Sequence, residues 1–149
     1  MRHFSLILAL TTLSLAACQT KAVEGVSDAR VTLPAVAGRP GAAYFTLNGG
    51  ESVNTLLEVS SPQVVRTELH ESAMKDGMMT MTPIQSGVTV PSGGKVSFEP
   101  GGKHAMLFDI APSVKAGRTI KLKFTYATGR TIEVDAEVKV PGEGEGHSH

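Results

Sequence analysis

The 149-residue sequence contains one cysteine and no excess of charge of either sign. A single cysteine excludes a disulfide framework and any zinc or iron–sulfur site that needs several thiolates. Because 14 Lys and Arg residues balance 14 Asp and Glu residues, the basic excess typical of nucleic-acid-binding proteins is missing, and we expect no nucleic-acid partner. At 41% hydrophobic residues, the chain is still apolar enough to form the core of one domain.

The motifs of common enzymes are missing as well. The sequence contains no G-x-S-x-G, and its serines and histidines show no nucleophile spacing. Gly93-Gly94-Lys95 and Gly101-Gly102-Lys103 lack the other residues of a phosphate-binding loop, and each precedes a predicted strand rather than a helix. We therefore expect turns at these glycines and a protein that is not an enzyme.

The N-terminal apolar run is too short to span a bilayer comfortably, which takes about 20 residues. A basic start, the apolar residues 4–15 and the sequence Leu15-Ala16-Ala17-Cys18 predict a lipoprotein-type signal peptide over residues 1–17, with Cys18 lipidated. Ordinary cleavage after Ala17, with Cys18 merely nearby, is the alternative. Residues 18–28 then form the lipidated cysteine and a polar tether, and we expect a periplasmic protein held on a membrane by its lipid anchor.

Residues 29–140 show the period-two alternation of half-buried β-strands. In the clearest segment, Ile132, Val134 and Ala136 share one face, and acidic residues occupy the other. The predicted strands cover residues 29–33, 42–47, 54–59, 64–69, 78–81, 88–90, 95–98, 104–110, 120–126 and 131–140. Short segments separated by Gly and Pro predict an all-β sandwich or barrel, most simply a Greek key. Residues 141–149 are predicted to be a flexible, His-containing tail.

Histidine and methionine are clustered in the sequence. All five methionines that follow the predicted signal peptide (74, 78, 79, 81 and 106) fall within residues 74–106. In the predicted strand 104–110, His104 and Met106 point the same way because side chains alternate along a strand. We expect His70, at the end of its strand, and Met81 to meet this pair at one rim of the sandwich.

Two imidazoles and two thioethers favour a soft metal ion. Thioether sulfur suits Cu(I) and does little for Zn²⁺, Mg²⁺ or Ca²⁺. A blue-copper electron-transfer site needs a cysteine thiolate, and the single Cys18 is assigned to the lipid anchor. These residues therefore predict a site that carries Cu(I) rather than cycling it. Taken singly, a histidine is more often structural and a methionine more often fills a core.

Three segments of the sequence carry a family resemblance. They are Glu68-Leu69-His70 with the following Gly77-Met78-Met79-Thr80-Met81, then Val90-Pro91-Ser92-Gly93-Gly94, and then Pro100-Gly101-Gly102-Lys103-His104-Ala105-Met106-Leu107. The chain here resembles the PCuAC family of bacterial periplasmic copper chaperones, whose pattern is H-x10-M-x21-H-x-M, over roughly residues 25–140. One departure is a spacing of 22 rather than 21 residues between Met81 and His104. We expect a surface turn around residues 85–86 to absorb the extra residue.

The resemblance implies a cupredoxin-like Greek-key β-sandwich that holds one Cu(I) through His70, Met81, His104 and Met106. It also implies delivery of copper toward the CuA centre of cytochrome c oxidase, with oxidase subunit II or a Sco-type thiol protein as the acceptor. Some relatives bind Cu(II) in His- and Met-rich extensions. His147 and His149 are therefore candidates for a second copper site, with a solvated tail as the alternative.

Two other functions remain open from the sequence. The protein can be a lipoprotein adhesion or assembly module whose methionines form an apolar contact patch. It can also be a periplasmic copper buffer that works mainly through residues 141–149. A partner interaction indifferent to copper distinguishes the first from a chaperone, and loss of copper binding on deletion of the tail distinguishes the second.

Overall fold

The structure is a computed structural model that describes residues 22–142. The predicted signal peptide, the predicted lipidation site Cys18 and the tail histidines His147 and His149 lie outside the described residues. Between residues 22 and 142, no helical segment has the length and apolar character that crossing a bilayer requires.

Ten β-strands make up the described chain. They are β1 (Gly25–Thr32), β2 (Gly41–Asn48), β3 (Asn54–Ser60), β4 (Val64–Lys75), β5 (Met78–Pro83), β6 (Val88–Val90), β7 (Lys95–Phe98), β8 (Lys103–Ile110), β9 (Thr119–Tyr126) and β10 (Thr131–Lys139). The all-β prediction is confirmed. Strand β1 begins at Gly25, so residues 25–28, which the sequence assigned to the tether, belong to the sheet.

Strand β4 differs most from its predicted extent. The sequence predicted a strand that ends beside His70, whereas β4 continues to Lys75 and pairs with β5 along the whole of this extension. The prediction that His70 closes its strand is therefore wrong. The extension lacks alternating apolar residues because most of its side chains are exposed. Its backbone pairing with β5 holds it in place instead. Asp76 and Gly77, with φ of 51° and 78°, form the two-residue turn.

The strands form one continuous sheet in the order β5-β4-β8-β2-β1-β10-β9-β3-β6, with β7 paired to β2. All pairs are antiparallel except β1 with β10. The sheet folds over on itself, which brings the ring of Phe124 on β9 edge-on to Phe45 on β2, with the ring centroids 4.8 Å apart. Phe98 on β7, the strand paired with β2, stacks on Phe45 at 4.3 Å. This sandwich core leaves the outer face of β4, β8 and β2 available for polar and metal-binding side chains.

The N-terminal segment is fastened to one end of the sandwich by Glu24. Its carboxylate accepts a hydrogen bond from the Asn54 side chain at 2.7 Å and pairs with Arg130 at 3.2 Å. Asn54 begins β3, and Arg130 lies in the turn between β9 and β10. The chain therefore enters the domain at the Gly25 end of β1.

Tyr126 provides a test of core energetics at this end. The side chain is buried, and within residues 22–142 its hydroxyl has no hydrogen-bond partner. An unsatisfied buried hydroxyl costs about 1–3 kcal/mol. Tyr126→Phe is therefore expected to raise the free energy of unfolding at neutral pH by an amount in that range, measured by urea unfolding.

The same substitution has a pH signature. Burial and, secondarily, the nearby Glu24 carboxylate raise the pKa of Tyr126 to about 12, against a smaller opposing effect of Arg130. An unfolded tyrosine ionises near pH 10, so the contribution of Tyr126 is complete below about pH 10 and is lost as the pH rises toward 12. Tyr126→Phe should remove this alkaline loss. An unchanged alkaline slope in Tyr126→Phe would contradict the assignment.

Candidate metal centre

The predicted ligands are brought to one face of the sheet by the pairing of β4 with β8. His70 lies directly opposite His104 in this antiparallel pair. The neighbours in sequence, Leu69 and Ala105, are buried in the core, so alternation turns both imidazoles to the outer face. Met106, two residues along β8 from His104, faces the same way.

Met81 reaches this face from β5. It pairs with Ser72, which is two residues from His70 on β4 and therefore shares its face. Met81, His104 and Met106 line one cleft with Ser72, bordered by Pro34 and other residues of the connection between β1 and β2. His70 stands beside His104 and is not among the cleft-lining residues. The four predicted ligands thus share the outer face, with Met81 on the edge strand β5 and His70 inside β4 rather than at a strand end as the sequence predicted.

His104 presents a defined nitrogen to the cleft. Its side chain is 6% exposed, and Nδ1 lies 3.0 Å from the carbonyl oxygen of Gly102. Because a carbonyl oxygen can only accept, Nδ1 carries the proton and donates it. In the neutral ring, Nε2 therefore keeps its lone pair, which is the form that binds a metal.

His70 is oriented through the opposite nitrogen. Nε2 lies 3.0 Å from the Glu68 carboxylate, and the proton is therefore on Nε2. Nδ1 is buried and has no hydrogen-bond partner in the described part of the chain. Burial lowers the pKa of His70, which favours the neutral ring. An uncharged imidazole with an unpartnered buried nitrogen is ready to bind an ion.

The two imidazoles lie close to each other. Their ring centroids are 6.0 Å apart, and the rings are inclined by 30°. Met81 is 53% exposed, whereas Met106 is partly buried. The arrangement therefore combines two largely buried imidazoles, each oriented by a hydrogen bond, with one partly buried and one exposed thioether. Within residues 22–142, no group of three or more His, Cys, Asp or Glu side chains is placed to hold a metal ion.

Sequence reasoning assigned no role to Glu68 or to the residues that hold it. Glu68 forms an ion pair with Arg66, and the guanidinium of Arg66 lies 3.9 Å from the centre of the Phe108 ring. Arg66, Glu68 and His70 alternate along β4 and share one face. In a strand that includes His70, the pattern Arg-x-Glu-x-His places Arg66, Glu68 and His70 side by side. This pattern could therefore have indicated their contacts from the sequence.

Known proteins support the fold assignment. The chain is 28% identical over 120 residues to "Putative lipoprotein Lxx21020" of Leifsonia xyli subsp. xyli, which covers 80% of this chain and 72% of the relative. The copper-bound PCuAC domain from PmoF2 superposes with a TM-score of 0.64 at 18% identity, covering 83% of this chain and all of that domain. CuI-DR1885 from Deinococcus radiodurans superposes with a TM-score of 0.55 at 28% identity, and the match covers 83% of this chain and 81% of that protein.

The cupredoxin-like β fold predicted from the sequence is confirmed by this likeness to PCuAC domains. The family model described as "Putative lipoprotein LpqE-like" matches residues 25–138, which is nearly the whole of the ten-stranded domain. The chain therefore belongs to the LpqE-like family of PCuAC-type proteins.

Proposed function

We propose that the protein is a copper chaperone that holds one Cu(I) through His70, Met81, His104 and Met106. The observation that carries the proposal is the pairing of His70 with His104. In each ring, one N–H donates a hydrogen bond to an identified oxygen, which leaves the lone pair of the other nitrogen free to bind a metal ion. Similarity to the Cu(I)-loaded protein from Deinococcus radiodurans supports copper as the metal. Two thioethers in addition to two imidazoles favour Cu(I) over harder divalent ions.

The ligand set suits transfer rather than permanent retention. All four side chains are neutral as ligands, so a bound Cu(I) is not held by an anionic thiolate or carboxylate. Met81 is 53% exposed, and an acceptor can approach the ion from its side. We infer delivery to a cuproenzyme, with the CuA centre of cytochrome c oxidase as the destination and oxidase subunit II or a Sco-type thiol protein as the acceptor.

The position of the N-terminal segment is compatible with a membrane-anchored carrier. At the start of β1, Gly25 pairs with Asn48, whereas Thr32 at its end pairs with Ala42, which also pairs with Met106. Eight residues of strand span about 23 Å at about 3.3 Å for each of seven steps. The described chain therefore begins at the end of β1 away from the candidate site, which is compatible with a periplasmic lipid anchor on Cys18 and a cleft that stays open to partners.

A Cu(I) competition titration of the intact protein tests this function. We expect one tightly bound Cu(I) per chain that persists in air, and deletion of residues 141–149 should leave this binding in place. A partner interaction without measurable Cu(I) affinity would favour the adhesion module instead. Loss of copper binding with the tail would favour a buffer, with His147 and His149 as its ligands.

Glu68 is expected to act as a positioning residue for His70. Glu68→Ala removes the acceptor of the His70 Nε2 proton, so the ring loses its fixed orientation. Loss of such an outer partner typically lowers metal affinity by about 10–100-fold. The measurement is the Cu(I) dissociation constant, obtained by competition.

Two variants separate orientation from a general loss of charge. Glu71→Ala removes the adjacent carboxylate, which pairs with Lys103 at 2.6 Å on the opposite face of β4, and should leave the Cu(I) affinity unchanged. Glu68→Gln retains a carbonyl oxygen that can accept the same hydrogen bond and should restore most of the affinity. Equal losses in Glu68→Ala and Glu71→Ala would refute the positioning role.

A further inference from the structure

The hairpin formed by β4 and β5 carries more methionine than the proposed Cu(I) site uses. Met74, Met78, Met79 and Met81 are 65%, 69%, 58% and 53% exposed, respectively. Only Met81 belongs to the proposed ligand set. Backbone hydrogen bonds hold the hairpin together, so its stability does not depend on apolar side chains that contact water. The proposed Cu(I) site therefore leaves Met74, Met78 and Met79 without a role.

Strand pairing sorts these methionines onto two faces. Met74 lies directly opposite Met79, and Ser72 lies directly opposite Met81. Because residues two apart share a face, Met74, Met79 and Met81 lie on the same side of the hairpin as His70. Met78 pairs with Lys75 and lies on the other side.

Met74 and Met79 are also a close pair. The Ile84 N–H donates to the Leu69 carbonyl oxygen at 2.7 Å, which makes residues 69 and 84 a hydrogen-bonded pair. Hydrogen-bonded and non-hydrogen-bonded pairs alternate along an antiparallel ladder, so Met74 and Met79 form a non-hydrogen-bonded pair. Side chains in such pairs approach each other most closely, with Cβ atoms about 4.5–5.5 Å apart.

The hairpin face therefore presents a ladder of sulfur donors that leads to the imidazoles. Met79 and Met81 are two residues apart on β5, which is about 7 Å along a strand. From His70 to the turn, this face carries Ser72, Met74, Met79 and Met81 and no charged side chain, since Glu71 and Lys75 lie on the other face. Without carboxylate or imidazole, only soft ions find suitable ligands here.

We propose that Met74 and Met79 form a second, weaker Cu(I) site, the outer site, which shares Met81 with the inner ligand set and through which the ion enters and leaves. This proposal rests on the proposed function, because an outer site has a role only if the inner ligands hold Cu(I). Met81 can remain bound while the ion exchanges Met74 and Met79 for the imidazoles. The ion therefore keeps a sulfur ligand throughout its movement.

Methionine-methyl NMR of the intact protein during titration with Ag(I), a redox-silent soft monovalent ion, tests the outer site. The first equivalent should shift the methyl signals of Met81 and Met106. Further Ag(I) should shift those of Met74 and Met79 and leave Met78 in place. Signals of Met74 and Met79 that stay unchanged, or that move no more than that of Met78, would overturn the proposal.

Leucine substitutions separate sulfur chemistry from apolar contact, since leucine keeps a similar volume and lacks the thioether. Met74→Leu with Met79→Leu should abolish the second binding event, preserve the first and slow Cu(I) transfer from the protein to a chelator. Met78→Leu is the matched control and should change none of these. An unchanged transfer rate in the double variant would overturn the transfer role.

The outcome also distinguishes the outer site from the proposed function. If the first equivalent shifts neither Met81 nor Met106, the inner ligand set is wrong, and the outer site loses its role with it. If the first equivalent shifts both but Met74 and Met79 never respond, the chaperone assignment stands and the outer site is refuted. If Leu substitution of Met74 and Met79 leaves a second event intact, that event arises elsewhere, and the outer site is refuted as well.

Discussion

Replacing His104 and Met106 together by alanine is expected to lower the Cu(I) affinity by more than about 100-fold. This loss exceeds the range produced by removing a residue that only hydrogen-bonds to a metal ligand. The two side chains are successive outward positions on β8 and line the same cleft as Met81. Their removal leaves one imidazole and one exposed thioether, too few ligands to hold the ion. A competition titration with a Cu(I) chelator measures the loss.

Two further variants make this result interpretable. Met78→Ala removes an exposed methionine from the other face of the hairpin and should bind Cu(I) as the unmodified protein does. Met106→Leu keeps the apolar volume and removes only the sulfur, so it should weaken binding without affecting thermal stability. An unchanged affinity in the double alanine variant, with its fold intact, would exclude His104 and Met106 from the site.

Phe45→Ala is expected to lower the free energy of unfolding by about 3–5 kcal/mol, the range for deleting a buried aromatic side chain. Phe45 is 1% exposed, contacts Phe124 across the folded-over sheet and stacks on Phe98 of the neighbouring strand β7. Aromatic pairs contribute about 0.5–1.5 kcal/mol beyond the area they bury. Urea unfolding measures the change.

Phe108→Ala is the matched control for this core variant. Phe108 is only partly buried and lies on the outer face, where it packs against Arg66. Its truncation exposes no core and should therefore cost much less than that of Phe45. Equal costs for the two variants would contradict the view that the core between the sheet halves provides the stability of the domain.

The strands could be predicted where one face is buried. Leu122 and Phe124 on β9 alternate with lysines, and β9 and β10 were predicted within a residue of their observed ends. The extension of β4 from Ser72 to Lys75 could not be predicted from alternation, because Ser72 is only partly buried and Ala73, Met74 and Lys75 are exposed. The Asp76-Gly77 sequence was the remaining indication of a hairpin, because Asp-Gly is typical of two-residue turns in which both residues have positive φ, as they do here.

The sequence indicated which residues form the proposed site but not how they are arranged. Spacing along the chain placed His104 and Met106 on one face of a strand, as the structure has them. The pairing of His70 with His104 depends on the register between β4 and β8, two strands that do not follow each other in the sequence. Register is set by the whole packed sheet, so the Glu68 contact that orients His70 required the structure.

X-ray absorption spectroscopy at the copper edge tests the central claim most directly. The intact protein loaded with one equivalent of Cu(I) should show two nitrogen and two sulfur ligands, from the two imidazoles and two thioethers. Met106→Leu should lose one of the sulfur ligands. A shell of nitrogen and oxygen ligands alone would contradict the assignment of His70, Met81, His104 and Met106 as the Cu(I) site.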